Sequence, residues 1–365
     1  MREELVEILT CPCCLGSLEV YPLIVENKEI KAGTLSCRKC GSNFEIRDYI
    51  PSFISSELVD KDTINDAYYW GNYYQILFKF GIMNFVDVRE PYAFFNIPSK
   101  RLRLIRFEDR MKLNKNFGIL DCKVFQNDEF FLCINNHVVN DRLHQGSRVL
   151  ELGAGSGWFS LELKRKGYNV IGVDPSFNAL KVGKTYALSK GLYVEYINAS
   201  ATQDIFREEV FDGIFAFHAL HHISNFERLI KLIRKWLKQG GLISIYEPRT
   251  SYFMFKILNI ALSLLPHIIL AIKGEPRNRF PLPRGSSANE GVSTEKIDSL
   301  SSVFRPLIME RFISCFDKIP SLLYFLSGSE KMLYISAILF NNFARVLKRF
   351  LPGDFVYMCL EKTGS

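Results

Sequence analysis

The chain has 365 residues, of which 48% are hydrophobic and 23% are charged; this composition excludes a disordered chain, and this length predicts two domains. Its net charge of +7 is uneven, because residues 1–57 carry −3 and residues 249–365 carry +6. The basic carboxy-terminal part suits an anionic lipid or a phosphate-bearing substrate, and the alternative is an ordinary solvated surface. The sequence contains no stripe of interleaved arginine and aromatic residues of the kind typical of RNA-binding proteins.

The first element is a set of cysteines near the amino terminus. Residues 1–9 lack the apolar core of a signal peptide, which predicts residence in the cytosol, where clustered cysteines indicate metal binding more often than disulfides. Two C-x-x-C pairs predict a tetrahedral zinc site with the ligands Cys11, Cys14, Cys37 and Cys40. Cys13 could replace Cys14 in an exchanging site. Four thiolates leave no open position, so the expected role of the zinc is structural.

The residues after the second pair extend this pattern. Residues 44–53 read as a strand that ends in Ile50-Pro51. This order resembles the small zinc-ribbon proteins that activate tRNA and release-factor methyltransferases. The resemblance implies a β-rich zinc ribbon over residues 1–57, fused to a catalytic domain and serving as structure or docking surface. So small a ribbon should need its metal to fold.

Residues 58–140 contain no motif and are interpreted as a helical linker or cap region. Residues 67–78 are dense in aromatic side chains, and residues 130–143 fit a helix that covers the sheet before its first strand. Such segments either close over a ligand or only pack against the sheet.

A glycine-rich motif follows at residues 149–159. An apolar strand leads into Gly153, Gly155 and Gly157, and a second strand, residues 170–173, ends at Asp174. Strand, glycine turn, helix, strand and acid form a nucleotide-binding unit, in which the glycines let the backbone approach a ligand. The G-x-G-x-G spacing differs from the G-x-G-x-x-G of dinucleotide-binding proteins, which disfavours an NAD-dependent oxidoreductase.

Two further segments continue in the same order. Residues 211–222 read as a strand and a histidine-containing loop, and residues 237–246 as a glycine turn and a strand. Residues 140–250 thereby resemble class I S-adenosylmethionine (SAM) methyltransferases. The resemblance implies an α/β domain at 141–365 with a doubly wound, seven-stranded Rossmann-like methyltransferase sheet.

The resemblance also implies a cofactor site. The residues expected to bind SAM are Glu151, Gly153, Ala154, Gly155, Gly157, Asp174, Ser200, Ala201 and His218. Glu151 would place the ammonium end and Asp174 the ribose hydroxyls, although Asp174 could instead be a capping acid. At the adenine position, the acid that family members carry is replaced by Ser200 or displaced to Asp204, with Asn198 as another hydrogen-bonding candidate.

Four residues are candidates for proton transfer from an acceptor. They are His218, His221, His222 and Glu247, which follow the fourth and fifth strands, where ligands bind in open α/β sheets. The alternative is that none of them is catalytic. An Asn-Pro-Pro-Tyr-like motif, typical of nitrogen methylation, is missing after the fourth strand, which favours an oxygen or carbon acceptor.

The carboxy-terminal part predicts hydrophobic helical insertions at about 250–290 and 319–352. Residues 253–272 are apolar, but Lys256 and Pro266 disfavour a membrane span and favour a hairpin over the site or on a membrane surface. Ser293 or Thr294 caps a predicted helix, followed by strands at 306–314 and 354–361. Residues 331–351 predict an amphipathic helix that lies on an anionic membrane or packs on its own domain.

The sequence therefore predicts a SAM-dependent methyltransferase with a structural zinc ion. The expected acceptor is an oxygen or carbon of a small molecule or of a lipid- or glycan-linked compound, with peripheral membrane contact as a further expectation. The alternatives are methylation of RNA or a protein factor, with the ribbon as built-in activator, and a non-catalytic binding scaffold.

Overall fold

A computed structural model describes residues 1–55, 57–79, 133, 136–249, 291–312, 353 and 355–364, and positions 323, 332, 335, 336, 339, 343 and 346. The predicted apolar hairpin at 253–272 and most of the predicted amphipathic helix at 331–351 lie outside these residues. In the described parts of the chain, no helix is both long enough and apolar enough to cross a membrane.

The amino-terminal residues form a four-stranded antiparallel ribbon. A short 3-10 helix, Glu3–Ile8, precedes the strands β1 (Leu18–Glu26), β2 (Glu29–Cys37), β3 (Asn43–Arg47) and β4 (Ile50–Pro51), which pair in that order. Phe44 and Ile46 of β3 are buried, whereas Asn43, Glu45 and Arg47 are exposed, the alternation expected of a strand with one covered face.

The second sheet has seven strands. They are β5 (Arg148–Leu152), β6 (Asn169–Asp174), β7 (Glu195–Asn198), β8 (Phe211–Phe217), β9 (Leu237–Pro248), β10 (Arg305–Phe312) and β11 (Phe355–Glu361). Their spatial order is β10-β11-β9-β8-β5-β6-β7, and β11 is antiparallel to both neighbours while β5 to β9 are parallel. The predicted doubly wound seven-stranded sheet is confirmed. Its strand order reverses between β5 and β8, which marks the ligand-binding crevice.

Six described α-helices and a 3-10 turn, Leu220–His222, accompany this sheet. The α-helices are α1 (Lys61–Lys79), α2 (His137–Arg142), α3 (Trp158–Arg165), α4 (Phe177–Ser189), α5 (Phe226–Trp236) and α6 (Thr294–Val303). Ser176 and Ser293 each accept a hydrogen bond from a backbone N–H in the first turn of the helix that follows. Of the two predicted caps of α6, the structure therefore uses Ser293.

The ribbon packs directly on the seven-stranded sheet. Their apolar residues belong to one cluster, in which Leu9 and Phe53 of the ribbon join Leu150 and Ile214 of the sheet. The backbone N–H of Thr10 donates to the carbonyl of Ile205 at 2.9 Å. A buried ion pair, with Lys184 Nζ 2.6 Å from Glu29 Oε2, adds a second contact between α4 and β2. The shared core and these bonds fix the ribbon beside the end of β7.

Candidate functional site

The four predicted zinc ligands lie together in the ribbon. The Sγ atoms of Cys11, Cys14, Cys37 and Cys40 are all within 4.8 Å of one another. Four thiolates around one zinc ion, at ~2.3 Å each, stand ~3.8 Å apart, so the cluster suits tetrahedral coordination. Cys13 is exposed and outside the cluster, so Cys14, and not Cys13, joins Cys11 in it. Gly41 turns the chain after the last ligand with a φ of +73°.

The glycine-rich loop connects β5 to α3 at the carboxyl edge of the sheet. Gly153, Gly155 and Gly157 all have positive φ, which L-residues with side chains rarely adopt. The backbone N–H groups of Gly153 and Ala154 both donate to the carbonyl of Val173, at 2.9 and 3.0 Å. These bonds attach the loop to the neighbouring strand β6.

Asp174 lies at the end of β6, directly beside this loop. Its Oδ2 accepts a hydrogen bond from the N–H of Gly155 at 2.8 Å, and its Oδ1 accepts one from the N–H of Ser176 at 2.7 Å. Burial raises the pKa of Asp174 to about 6, although these two bonds oppose the shift. The acid therefore fixes the loop and the start of α4 relative to each other.

Glu151 is buried at the end of β5, with 3% of its surface exposed. It accepts a hydrogen bond from the hydroxyl of Ser160 on α3. Burial raises the pKa of Glu151 to about 8, and the nearby charge of Asp174 adds to the rise. The carboxyl group is therefore largely protonated at neutral pH and would ionise if a cation came close.

The side chains at the end of β7 and in the segment after it form hydrogen bonds within the protein. The Asn198 side chain donates to the carbonyls of Asp174 and Pro175, at 3.1 and 2.8 Å. The carboxylate of Asp204 accepts bonds from Lys235 and Trp236, so the predicted displaced acid serves the packing of α5. Next to Ala201, which is 8% exposed, Ser200 shares a hydrogen bond of 2.9 Å with the hydroxyl of Thr202.

The ribbon contacts this same segment. The hydroxyl of Ser52 donates to Asn198 Oδ1 at 2.7 Å, and the N–H of Phe53 donates to the carbonyl of Asn198 at 2.8 Å. The side-chain amide of Gln203 donates to the carbonyl of Phe53 at 2.9 Å and accepts from the N–H of Ser200 at 2.8 Å. Ribbon and loop 200–203 are thus joined by a continuous set of hydrogen bonds.

Glu247, at the end of β9, is completely buried and accepts three hydrogen bonds. Its Oε1 accepts from the N–H groups of Ala219 and Leu220, both at 2.7 Å, and its Oε2 lies 2.6 Å from His221 Nδ1. Because both of its oxygens form these bonds, Glu247 holds the loop after β8 and orients the imidazole of His221. Because Nδ1 faces Glu247, Nε2 is the atom of His221 left for proton exchange.

The other two histidines have different surroundings. His218 has a φ of +54°; its ring stacks on that of Tyr246, with centroids 5.4 Å apart, and packs at a tilt on that of Phe355, with centroids 5.3 Å apart. His222 Nδ1 lies 2.9 Å from Asp66 Oδ2 on α1. The loop after β8 therefore brings three imidazoles to the carboxyl edge of the sheet, each with its own partner.

Sequence reasoning marked residues 67–78 as an aromatic segment that either covers a ligand or packs on the sheet, but it gave no role to individual residues of α1. Asp66 and Tyr74 carry no motif, yet Asp66 pairs with His222 and the Tyr74 ring lies against the glycine loop, 3.4 Å from where a Cβ of Gly155 would be. Asp66, Trp70 and Tyr74 follow one another at intervals of four residues. This spacing was the signal in the sequence that they share one face of a helix.

Two segments of the chain match known protein families. Residues 150–245 match the family described as "Methyltransferase domain", and residues 2–48 match the family described as "Trm112p-like protein". The ubiquinone biosynthesis O-methyltransferases of Rhizobium etli and Agrobacterium fabrum are 31% identical over 101 residues and 32% identical over 99 residues. These matches cover 28% and 27% of this chain and 41% and 40% of the relatives. The chain thus spans less than half the length of these relatives.

Among solved structures, geranyl diphosphate C-methyltransferase from Streptomyces coelicolor A3(2) is similar, with a TM-score of 0.45 and 12% sequence identity. The similarity covers 84% of this chain and 99% of that chain.

The family matches confirm both resemblances inferred from the motifs. The chain carries a methyltransferase domain preceded by a Trm112p-like zinc-ribbon domain.

Proposed function

We propose that this protein transfers a methyl group from SAM to an oxygen atom of a small-molecule or lipid-linked acceptor. The observation that carries the proposal is the bond between the Gly155 N–H and Asp174 Oδ2, at 2.8 Å. It joins a glycine-rich loop to an acid at the crevice where the strand order reverses, the arrangement that binds nucleoside-containing ligands in open α/β folds.

The residues of the crevice fit SAM in their chemistry. Gly153 and Gly155 present bare backbone, and Asp174 retains lone pairs that can accept bonds from ribose hydroxyls. Ser156 Oγ, in the same loop, is buried and has no hydrogen-bond partner among the described residues. Glu151 would ionise beside the ammonium group of the cofactor, since charge pairing offsets the burial that raises its pKa to about 8.

The proposed reaction requires no covalent bond between the protein and the substrate. Bound SAM supplies a methyl group already activated by its sulfonium, so the main tasks of the chain are alignment and proton removal. The sulfonium sulfur of bound SAM would keep the electron pair of the carbon–sulfur bond when its methyl group passes to the acceptor oxygen. His221 Nε2 would accept the hydroxyl proton, and Glu247, 2.6 Å from Nδ1, would stabilise the resulting charge. His218 and His222 are the other candidates for this role.

Two observations support an oxygen acceptor that is apolar or lipid-linked. The relatives are named as O-methyltransferases. In addition, five apolar residues at helical spacing are between 42% and 61% exposed: Met332, Ile335, Leu339, Phe343 and Val346. The sequence places the basic residues Lys331, Arg345 and Lys348 among them, a combination that favours contact with an anionic membrane surface.

A second candidate function is methylation of RNA or of a protein factor. The Trm112p-like match favours it. A ribbon that acts as a built-in activator should contact the catalytic domain, and this ribbon contacts loop 200–203 through Phe53. The ribbon contacts are compatible with either acceptor class.

The experiment is incubation of the zinc-loaded protein with tritiated-methyl SAM and, in separate reactions, a bacterial lipid extract, total tRNA and a ribosomal protein fraction. We expect label in the organic extract of the lipid reaction, lost in His221→Ala and retained in the exposed-site control His144→Ala. Label confined to tRNA or protein would contradict the proposal and support the second candidate. Flotation with anionic and neutral vesicles at low and high salt tests membrane contact separately.

A further inference from the structure

The segment after β7 lies next to the proposed ribose-binding acid. Asp174 ends β6, and Asn198 stands beside it in register at the end of β7. The backbone N–H of Ala199 donates to the carbonyl of Asp174 at 3.2 Å, which holds the two strand ends together. The base of a nucleoside whose ribose is bound by Asp174 can therefore reach residues 200–202.

Two linked hydroxyl groups lie in this segment. Ser200 Oγ and Thr202 Oγ1 are 2.9 Å apart, and either of them can donate the hydrogen bond that joins them. Ser200 Oγ also accepts from the N–H of Thr202 at 3.3 Å, so it can accept one more hydrogen bond and donate one. One of these two bonds joins it to Thr202, and the other is left for a ligand. The segment thus offers a ligand either a donor or an acceptor.

The neighbouring side chains fix the backbone of this segment but leave both hydroxyls able to turn. Gln203 is buried, accepts from the N–H of Ser200 at 2.8 Å and donates to a carbonyl of the ribbon at 2.9 Å. Asn198 and Asp204 form hydrogen bonds with other groups of the protein. Among the polar side chains of residues 198–204, the two hydroxyls are therefore the groups whose hydrogen-bonding direction can reverse without a change of conformation.

This pair of hydroxyls matches the edge of a purine in two chemical forms. Adenine presents a donor, its 6-amino group, beside an acceptor, N1, whereas hypoxanthine presents an acceptor, O6, beside a donor, the N1 hydrogen. With adenine, Ser200 would accept from the amino group and donate to Thr202, which would donate to N1. With hypoxanthine every bond in this chain reverses, and both hydroxyls still make all of their hydrogen bonds.

We propose that the linked hydroxyls of Ser200 and Thr202 recognise the base of the cofactor, and that they accept a 6-oxopurine as readily as a 6-aminopurine. An ionised acid in their place could only accept hydrogen bonds, so it would select the amino group. Ser200 and Thr202 are then specificity-determining residues of the nucleoside site. The inference rests on the proposed function, since it assumes that the crevice binds SAM and its product S-adenosylhomocysteine (SAH).

The test is calorimetric titration of the full, zinc-loaded chain with SAH and with S-inosylhomocysteine, in which an oxygen replaces the 6-amino group. Ser200→Asp replaces one hydroxyl by a group that only accepts, and the near-isosteric Thr202→Val removes the other hydroxyl. Ser302→Asp, at an exposed position on α6, is the matched control for the added charge. Thermal unfolding without ligand checks that each variant is folded.

We expect the wild type and Ser302→Asp to bind the two ligands with Kd values within about threefold of each other. In Ser200→Asp, the Kd for S-inosylhomocysteine should exceed the Kd for SAH by at least about tenfold, because a carboxylate would then face O6 without a proton between them. In Thr202→Val, the Kd for both ligands should rise by about three- to tenfold, since one hydrogen bond to the base is lost.

The possible failures are distinguishable. A wild type that binds both ligands with Kd values more than about threefold apart would overturn the inference and leave the proposed function intact. So would a folded Thr202→Val with the Kd values of the wild type, or a folded Ser200→Asp that does not discriminate. If Ser200→Asp does not fold, the wild type and Thr202→Val decide. A folded wild type that binds neither ligand would overturn the proposed function, and this inference with it.

Discussion

Ser52 of the zinc ribbon donates a hydrogen bond to Asn198 at the end of β7, with an oxygen–oxygen distance of 2.7 Å. Asn198 in turn donates to the carbonyl of Asp174, the acid beside the glycine loop. Two hydrogen bonds thus separate the ribbon from the proposed ribose-binding residue. The conformation of the crevice should therefore depend on whether the ribbon is folded.

Loss of zinc should weaken cofactor binding. Cys37→Ser removes one thiolate from the cluster, so the ribbon should lose its metal and its structure, and Ser52 would no longer support Asn198. We expect the Kd for SAH, measured by calorimetry, to rise severalfold. Cys13→Ser is the matched control, because Cys13 is exposed and outside the cluster. Wild-type affinity in a zinc-free Cys37→Ser protein would refute this dependence.

Glu151 should make stability depend on pH. Its pKa is about 8 in the folded state and about 4.5 in the unfolded state, so the folded protein holds an extra proton between these values. Stability from this residue is therefore complete below pH 4.5 and is lost as the pH rises to about 8. Relative to Glu151→Gln, the wild type should lose on the order of 1 kcal/mol per pH unit in this window.

Denaturant unfolding of the wild type and Glu151→Gln at several pH values between 5 and 9 measures this difference. Asp174, whose pKa is also raised by burial, contributes the same trend to both proteins and cancels in the comparison. Parallel stability profiles for the two proteins would mean that the carboxyl group of Glu151 is ionised throughout.

Gly157 should tolerate no side chain. Its φ is +76°, and a Cβ there would come within 2.1 Å of the hydroxyl of Tyr196, a buried and rigidly packed ring. Gly240 has a similar φ of +72° with no atom within 4 Å of its would-be Cβ. Gly240→Ala thus measures backbone strain alone, about 1 kcal/mol. The free energy of unfolding should fall further in Gly157→Ala, by roughly 1–3 kcal/mol, because of overpacking. Equal losses would show that the Tyr196 ring moves away.

Glu247 should be important for stability as well as for His221. In Glu247→Gln the amide oxygen can keep both backbone N–H bonds, but the NH₂ group then faces His221 Nδ1, so the imidazole must change tautomer to accept from it. We expect a loss of about 1–3 kcal/mol in the free energy of unfolding, because a charge-assisted set of bonds is replaced by a neutral one. Glu208→Gln, at an exposed position, should change it by less than about 0.5 kcal/mol. A small effect at both positions would mean that Glu247 is not the support of this loop.

The elements that follow from local sequence were predicted well. The strand, the three glycines and Asp174 lie within one continuous βαβ unit, so residue spacing alone determines their arrangement. The same holds for the cysteines, since each C-x-x-C turn brings two sulfurs together and only the choice between Cys13 and Cys14 stayed open. The strands at 305–312 and 355–361 were placed within two residues of their ends.

The contacts made over long sequence distances could not be predicted. Asp66 reaches His222, and Ser52 reaches Asn198, only after separate elements pack together. Asp204 was a candidate for the adenine site, yet Lys235 and Trp236 bind its carboxylate in the packing of α5. The pattern of residue types shows which groups can bind a ligand, whereas tertiary packing decides which of them are already engaged.

The most direct test of the account is calorimetric titration of the zinc-loaded protein with SAM, beside Asp174→Ala and the exposed-site control Asp298→Ala. The account predicts saturable one-to-one binding by the wild type and by Asp298→Ala, and no measurable binding by a folded Asp174→Ala. Absence of binding by the folded wild type, or equal binding by Asp174→Ala, would contradict it.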